Sequence, residues 1–141
     1  MISKTKIKEV KEKYVSAVGR RKEAIARIRL YSGKGETTVN GKNISEYFPG
    51  DSMKVLYLAP FVETDTAGKF YVTAKIVGGG ISGQLTAFVH GVSRTLSALD
   101  RDKFRPALKK KGYLTRDSRT RERRKVGTGG KARRKKQSPK R

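Results

Sequence analysis

The last 27 residues, Thr115 to Arg141, contain 13 Lys or Arg, two acids and only two aliphatic residues, Val126 and Ala132. The remaining ten are Gly, Ser, Thr, Pro or Gln. A segment of this composition cannot bury enough apolar surface to offset its chain entropy, so alone it is disordered. Any packed core must lie before it. Extended, the segment spans at most roughly 90 Å, at ~3.3 Å per residue. Thirteen positive charges against two negative ones argue against a mere solubility tail and for a polyanion partner. The expected organisation is a basic N-terminal extension (1–13), a globular domain (14–114) and an extended basic tail (115–141).

The charge is uneven. Residues 1–100 hold 16 Lys+Arg and 9 Asp+Glu, a net of +7, and residues 101–141 hold 19 and 3, a net of +16. Their sum is the chain's +23. Nucleic acid, an anionic membrane and an acidic protein could each neutralise it. No apolar run approaches the ~18 residues of a spanning helix, and the tail has no apolar face to insert, so no membrane partner is expected. The basic start lacks the apolar stretch and cleavage site of a secretory signal, and none is expected. Without cysteine there is neither a disulfide framework nor a thiolate zinc site.

Within the globular part, Tyr14 to Arg20 reads as a strand, followed by a basic turn at Gly19-Arg20-Arg21-Lys22. Ala24, Ala26, Ile28 and Leu30 then alternate with Arg27, Arg29 and Tyr31, the pattern of a half-buried strand with a cationic outer face. Thr37 to Val39 can form a short strand ending at the turn dipeptide Asn40-Gly41. Asn43 can cap a short helix through Tyr47. A second helix is expected from Asp51 or Ser52, with Met53, Leu56 and Tyr57 on one side, ending before Pro60. Phe70, Val72, Ala74 and Ile76 alternate with Tyr71, Thr73 and Lys75 as another strand. Ile81, Leu85, Phe88, Val92, Leu96 and Leu99 recur at helical spacing, predicting an amphipathic helix of about five turns. Pro106 is expected to open a last short helix, with Gly112 at its C′ position. Strands with helices packed on one face make a single small α+β domain.

Gly78-Gly79-Gly80-Ile81-Ser82-Gly83 satisfies G-x-G-x-x-G between a strand and a helix, with Asp100 near the distance of a ribose-binding acid. A dinucleotide site also needs a second parallel strand after that helix, and none is available. Gly78, Gly79, Gly80 and Gly83 are therefore read as a structural turn whose amides at a helix N-terminus could suit an RNA phosphate. His90 is the only histidine, and no phosphate-loop motif is present. No catalytic residue, metal site, cofactor or small-molecule substrate is expected, and the chain is not read as an enzyme.

The run Tyr14-Val15-Ser16-Ala17-Val18-Gly19-Arg20-Arg21-Lys22-Glu23-Ala24 resembles the start of the bacterial-type family of small-subunit ribosomal protein nine. The Gly78 to Gln84 block continuing through Ala87, Gly91, Ser93 and Arg94 is similar to that family's signature. So are Leu114 to Arg119, Glu122 to Gly127, Lys131 to Arg134, and the terminal Lys140-Arg141. The resemblance covers about Tyr14 to Arg141. It implies an α+β domain with a left-handed βαβ crossover, like the C-terminal domain of small-subunit ribosomal protein five. It also implies a seat in the head of the small subunit on the 3′ major domain of its rRNA, among neighbouring head proteins. The tail would thread through RNA to the anticodon stem-loop of peptidyl-site tRNA. The implied compartment is the cytoplasm, or a plastid stroma.

These readings give a division of labour. Arg20, Arg21, Lys22, Arg27 and Arg29 would fix the domain on RNA backbone and shape. In the tail, Arg116, Arg119, Arg121, Arg123, Arg124, Lys125, Lys131, Arg133, Arg134, Lys135 and Lys136 would bind RNA phosphates. With no aromatic residue after Tyr113, the tail would not rely on base stacking. The family match points to Lys140 and Arg141 as the tRNA contact. Composition alone leaves open a generic architectural nucleic-acid binder of the histone-like kind.

Overall fold

The computed structural model describes residues 14–127. Its elements are β1 (Tyr14–Arg21), β2 (Ala24–Ser32), β3 (Thr38–Val39), β4 (Lys42–Asn43), α1 (Ile44–Tyr47), α2 (Asp51–Glu63), β5 (Phe70–Val77), α3 (Ile81–Leu99) and α4 (Arg101–Lys110). The five strands form one sheet in the order β1-β2-β5-β3-β4. All neighbours are antiparallel except β3 and β5, which run parallel across the β4-α1-α2 connection. This is the α+β class expected from the pattern. The N-terminal extension expected at residues 1–13 lies outside the described residues.

Alternation decides which sheet face is buried. Ala24, Ala26, Ile28 and Leu30 of β2 and Val72, Ala74 and Ile76 of β5 are buried, while Arg27, Arg29 and Lys75 are exposed. Helix α3 covers the buried face along β1 and β2, and α2 and α4 pack against α3. Its Leu85, Phe88, Val92 and Leu96 join Phe48, Tyr57 and Phe61 in one core. Ile81 and Leu99, at the two ends of the helical stripe, are exposed.

Gly19 is not part of a turn. It lies inside β1, where an added Cβ would overlap the carbonyl oxygen of Ala87 and the amide nitrogen of Gly91. A Cβ on Gly91 would in turn sit 2.5 Å from Ile28 Cγ1. The backbones of β1 and α3 therefore touch with no side chain between them. The turn itself is the two-residue loop Lys22-Glu23, with Arg21 paired to Ala24 and Lys22 at φ 53°.

Three further expectations are corrected. Helix α2 continues through Pro60 to Glu63. The lost N–H and ring clash cost ~3 kcal/mol, comparable to burying Phe61 beside Pro60 at roughly 1.5–3 kcal/mol per large side chain. Thr64 Oγ1 then donates to the Pro60 carbonyl at 2.9 Å and closes the last turn. Leu56 is 54 % exposed rather than facing inward with Tyr57. It belongs to an outer face with Val55 and Val62, both also exposed. Helix α4 is opened not by Pro106 but at Arg101, five residues earlier, where the preceding Asp100 caps it, its Oδ1 accepting from the Lys103 amide at 3.1 Å. Burial of Phe104 and Leu108 on its inner side carries the helix through the proline.

Other local signals act as read. Asn43 Oδ1 accepts from the Ser45 amide at 3.0 Å and caps α1, and Gly112 follows α4 with φ 79°. Asn40 and Gly41 take φ 51° and 81° at the β3–β4 turn. Asn40 does more than turn the chain. Its side chain donates to the Ile76 carbonyl (2.9 Å) and accepts from the Ile76 amide (2.8 Å), extending the β5 ladder past the end of β3.

Gly91→Ala should cost about 1–3 kcal/mol through overpacking, read as a lower urea midpoint. Gly83→Ala, in the first turn of α3 with only ordinary contacts at 3.7 Å and beyond, should gain up to about 1 kcal/mol from helix propensity.

Candidate nucleic-acid interface

The register divides the basic residues of the first hairpin between two faces. Arg20, Arg27 and Arg29 stand at outward positions of the open sheet face, and all three are exposed. Arg21 alternates to the other side, and Lys22 projects from the turn. The five residues thus share one hairpin but not one face. Lys75 of β5 joins the open face directly opposite Arg27. Reading β5 as an isolated strand could not reveal that pairing.

The glycine block forms a tight corner against the same hairpin. Gly78 and Gly79 take φ 77° and 65°, and a Cβ on Gly78 would lie 2.5 Å from the Glu23 carbonyl oxygen. Gly79 packs on Ala24. Gly80 is the N-cap of α3 and offers no side chain to its leading amides. The first turn of α3, the Lys22-Glu23 turn, and Thr120 and Arg121 together line a cleft of about 560 Å³. Gln84 braces this corner: its Nε2 donates to the Gly78 carbonyl at 3.0 Å, and its Oε1 accepts from Tyr47 Oη at 2.6 Å.

The basic segment after Leu114 is attached to the domain by one of its few acids. Asp117 lies 3.3 Å from Arg21 Nη1, and Arg21 also donates to the Arg119 carbonyl at 2.6 Å. Arg119 turns back on Asp117 through its amide (3.0 Å) and its guanidinium (2.7 Å at Nη2). The Arg119 side-chain and amide hydrogen bonds, then the charges of Arg119 and Arg21, hold the Asp117 carboxyl well below the usual carboxylate range. Arg21 is consequently a brace for the exit path, with only 13 % of its side chain exposed. The side chain of Arg119, at 83 %, remains open.

His90 secures the same junction from beneath. Its Nδ1 accepts from the Arg20 amide at 3.3 Å, and the ring hydrogen-bonds the Leu114 backbone. It is buried. Burial first, then the nearby Arg94 and Arg116 charges, push its pKa below the ordinary 6.5, against the raising effect of the Leu114 bond. The neutral ring is the form this site requires, because a protonated Nδ1 could no longer accept from Arg20.

Residues 115–127 contain no helix or strand, and Arg116, Arg121, Arg123, Arg124 and Lys125 are exposed along them. Lys131, Arg133, Arg134, Lys135, Lys136, Lys140 and Arg141 lie outside the described residues. Arg94, Arg101 and Arg105, none of them assigned an RNA contact from sequence, surround a hollow of about 360 Å³ beside Leu114. Arg94 also donates to the Val18 carbonyl at 2.5 Å, so part of its capacity is structural. Among the described residues no carboxylate–histidine group could hold a metal, and no helix is long and apolar enough to cross a membrane.

Fold and charge together define a class: a small α+β domain, cationic on its open sheet face and along an irregular C-terminal segment clipped to its first hairpin. The chain belongs to the family described as ribosomal protein S9/S16, whose model matches residues 19–141. It is 50% identical over 112 residues to the small ribosomal subunit protein uS9 of Leifsonia xyli subsp. xyli (strain CTCB07), covering 79% of this chain and 67% of that protein. It is 47% identical over 113 residues to the uS9 protein of Anaeromyxobacter sp. (strain K), covering 80% and 86% respectively. Family membership agrees with the reading of a ribosomal protein rather than an enzyme.

Two measurements test the junction. The unfolded chain binds a proton at His90 more readily than the folded one, so stability should fall as pH drops through the ordinary imidazole range near 6.5. His90→Gln should flatten that dependence in urea unfolding. Asp117→Asn should speed tryptic cleavage after Arg116 and Arg119 and lower the unfolding midpoint, because Arg21, only 13 % exposed, loses its carboxylate partner.

Proposed function

We propose that this chain is a structural component of the small ribosomal subunit, seated on the 3′ major domain of its rRNA with its C-terminal tail directed toward peptidyl-site tRNA. The observation that carries the reading is the join between a folded family domain and a basic segment held at a defined point by Arg21 and Asp117. The relatives named small ribosomal subunit protein uS9 support the address. The family resemblance supports the seat and the tRNA contact, and it also carries the proposal that the β3–β5 crossover is left-handed, as in the C-terminal domain of small-subunit ribosomal protein five.

In this arrangement the folded domain contributes phosphate contacts through Arg20, Arg27, Arg29 and Lys22, and these position without reading base sequence. Residues Arg116 to Lys136 add phosphate contacts along the threaded segment. The four N–H groups of an α3 N-terminus without a side-chain cap suit another phosphate at the glycine corner. The outer face of α2, with Val55, Leu56 and Val62 exposed, supplies an apolar surface for a neighbouring head protein. Lys140 and Arg141 supply the contact to the tRNA. The compartment follows that of the subunit, the cytoplasm or a plastid stroma.

Removal of Lys140 and Arg141 should leave subunit assembly intact and weaken peptidyl-site tRNA binding to purified subunits. Unchanged tRNA affinity across several salt concentrations would sink that contact. Deletion from Thr115 should also flatten the salt dependence of rRNA binding, because many phosphate contacts vanish together. Co-sedimentation with small subunits in high salt separates this function from a histone-like one, which would follow DNA.

A further inference from the structure

The open face of the sheet contains an electrostatic arrangement that folding alone does not favour. Arg27 of β2 stands directly opposite Lys75 of β5, and Arg29 stands directly opposite Thr73. Side chains at such positions have Cβ atoms roughly 4.5–5.5 Å apart, and like charges placed there destabilise the strand pair. A carboxylate at either position would relieve the repulsion. Among the described residues, no Asp or Glu occupies any position of β1, β2 or β5. The three cations and Thr73 instead surround a hollow of about 320 Å³ on the exposed face. Arg29 is held at its rim, with its guanidinium 5.0 Å from the centre of the Tyr14 ring. That ring begins a row continuing through Tyr31 (5.6 Å) to Tyr71 (5.1 Å), with the Gly35 backbone closely packed against Tyr71. The row gives Arg29 a rigid support.

We propose that this hollow is a phosphate site, filled by a phosphodiester of the RNA on which the domain sits. Arg27 and Lys75 supply opposed positive charges that a phosphate between them neutralises. Arg29 offers a planar fork for two non-bridging oxygens, and Thr73 Oγ1 is a neutral donor. The proposal rests on the ribosomal reading for the identity of the RNA. It goes beyond that reading by assigning Lys75 and Thr73 to the contact and by giving a reason for the Arg27–Lys75 pairing. An RNA backbone is favoured over an acidic protein segment because the hollow gathers three cations around a small volume, which a compact, fully ionised phosphate fills without a second carboxylate.

The proposal has a double signature. In the free, full-length chain, Lys75→Gln should raise the urea midpoint, because it removes a like-charge repulsion. The same substitution, alone or with Arg27→Gln, should weaken binding to a transcript of the 3′ major domain of small-subunit rRNA. The slope of log K against log salt should become shallower by about one phosphate equivalent, roughly 0.7–0.9. The amide resonances of Thr73 and Lys75 should shift on titration with inorganic phosphate, and less so in the double variant. A salt slope unchanged by the double substitution would overturn the proposal, as would a lowered urea midpoint in Lys75→Gln. A cross-link from Lys75 to a protein carboxylate in assembled subunits would overturn it in favour of a protein occupant. Running the slopes on polyuridylate as well separates the two readings. A wild-type chain that binds both RNAs alike contradicts the ribosomal address, whereas slopes unaltered by substitution on both RNAs contradict the phosphate site.

Discussion

Strand β1 and helix α3 meet backbone to backbone at Gly19 and Gly91, and the rest of the molecule depends on that approach. No side chain fits there: an added Cβ on Gly19 would overlap α3, and one on Gly91 would strike Ile28. With the helix this close, Ala87, Phe88 and Val92 reach the sheet and are fully buried. The contact also brings His90 beneath the Arg20 amide and Arg94 to the Val18 carbonyl. A wider separation would break both bonds and free the chain at Leu114, where the basic segment starts.

Electrostatics then divides the labour among cations of the same type. A net charge of +23 cannot be satisfied within a chain that has 12 acids, so placement of the few acids carries information. Asp117 brings Arg21 and Arg119 to one point and sets the direction in which the basic segment leaves. Arg94 is partly consumed by a carbonyl. Arg27, Arg29 and Lys75, by contrast, face one another on an open sheet whose long strands, among the described residues, contain no Asp or Glu, which suits them to an external anion. The two arrangements differ in purpose although both draw on arginines of one hairpin, Arg21 in the first and Arg27 and Arg29 in the second.

Much of the local structure was legible because its causes are local. The alternation of β2 and β5, the stripe of α3, the Asn43 cap and the Asn40-Gly41 turn each follow from side-chain period or from conformations available to Asn and Gly. The departures share a different cause. Propensity predicts boundaries at Pro60 and Pro106, yet burial of Phe61, and of Phe104 and Leu108, carries both helices through them. Gly19 has the local signature of a turn residue, and its strand role is hidden because its neighbour lies 72 positions away at Gly91. Leu56 fits an inward stripe on a wheel but faces outward because α2 is oriented by Tyr57 and Phe61.

The sequence by itself determined the class of the domain, the strongly basic segment after it and the family to which both belong. Composition, period and motif order are one-dimensional properties, and a segment this basic and this poor in apolar residues is recognisable from them alone. Only the tertiary structure decided where that segment leaves the domain and which cations remain available. Arg21 and Asp117 are 96 positions apart, and Arg27 and Lys75 are 48 apart, yet packing and register make each pair neighbours. The tail was conspicuous from the start. The clip that aims it arises only when β1, α3 and Leu114 converge, because its bonds join residues distant in sequence.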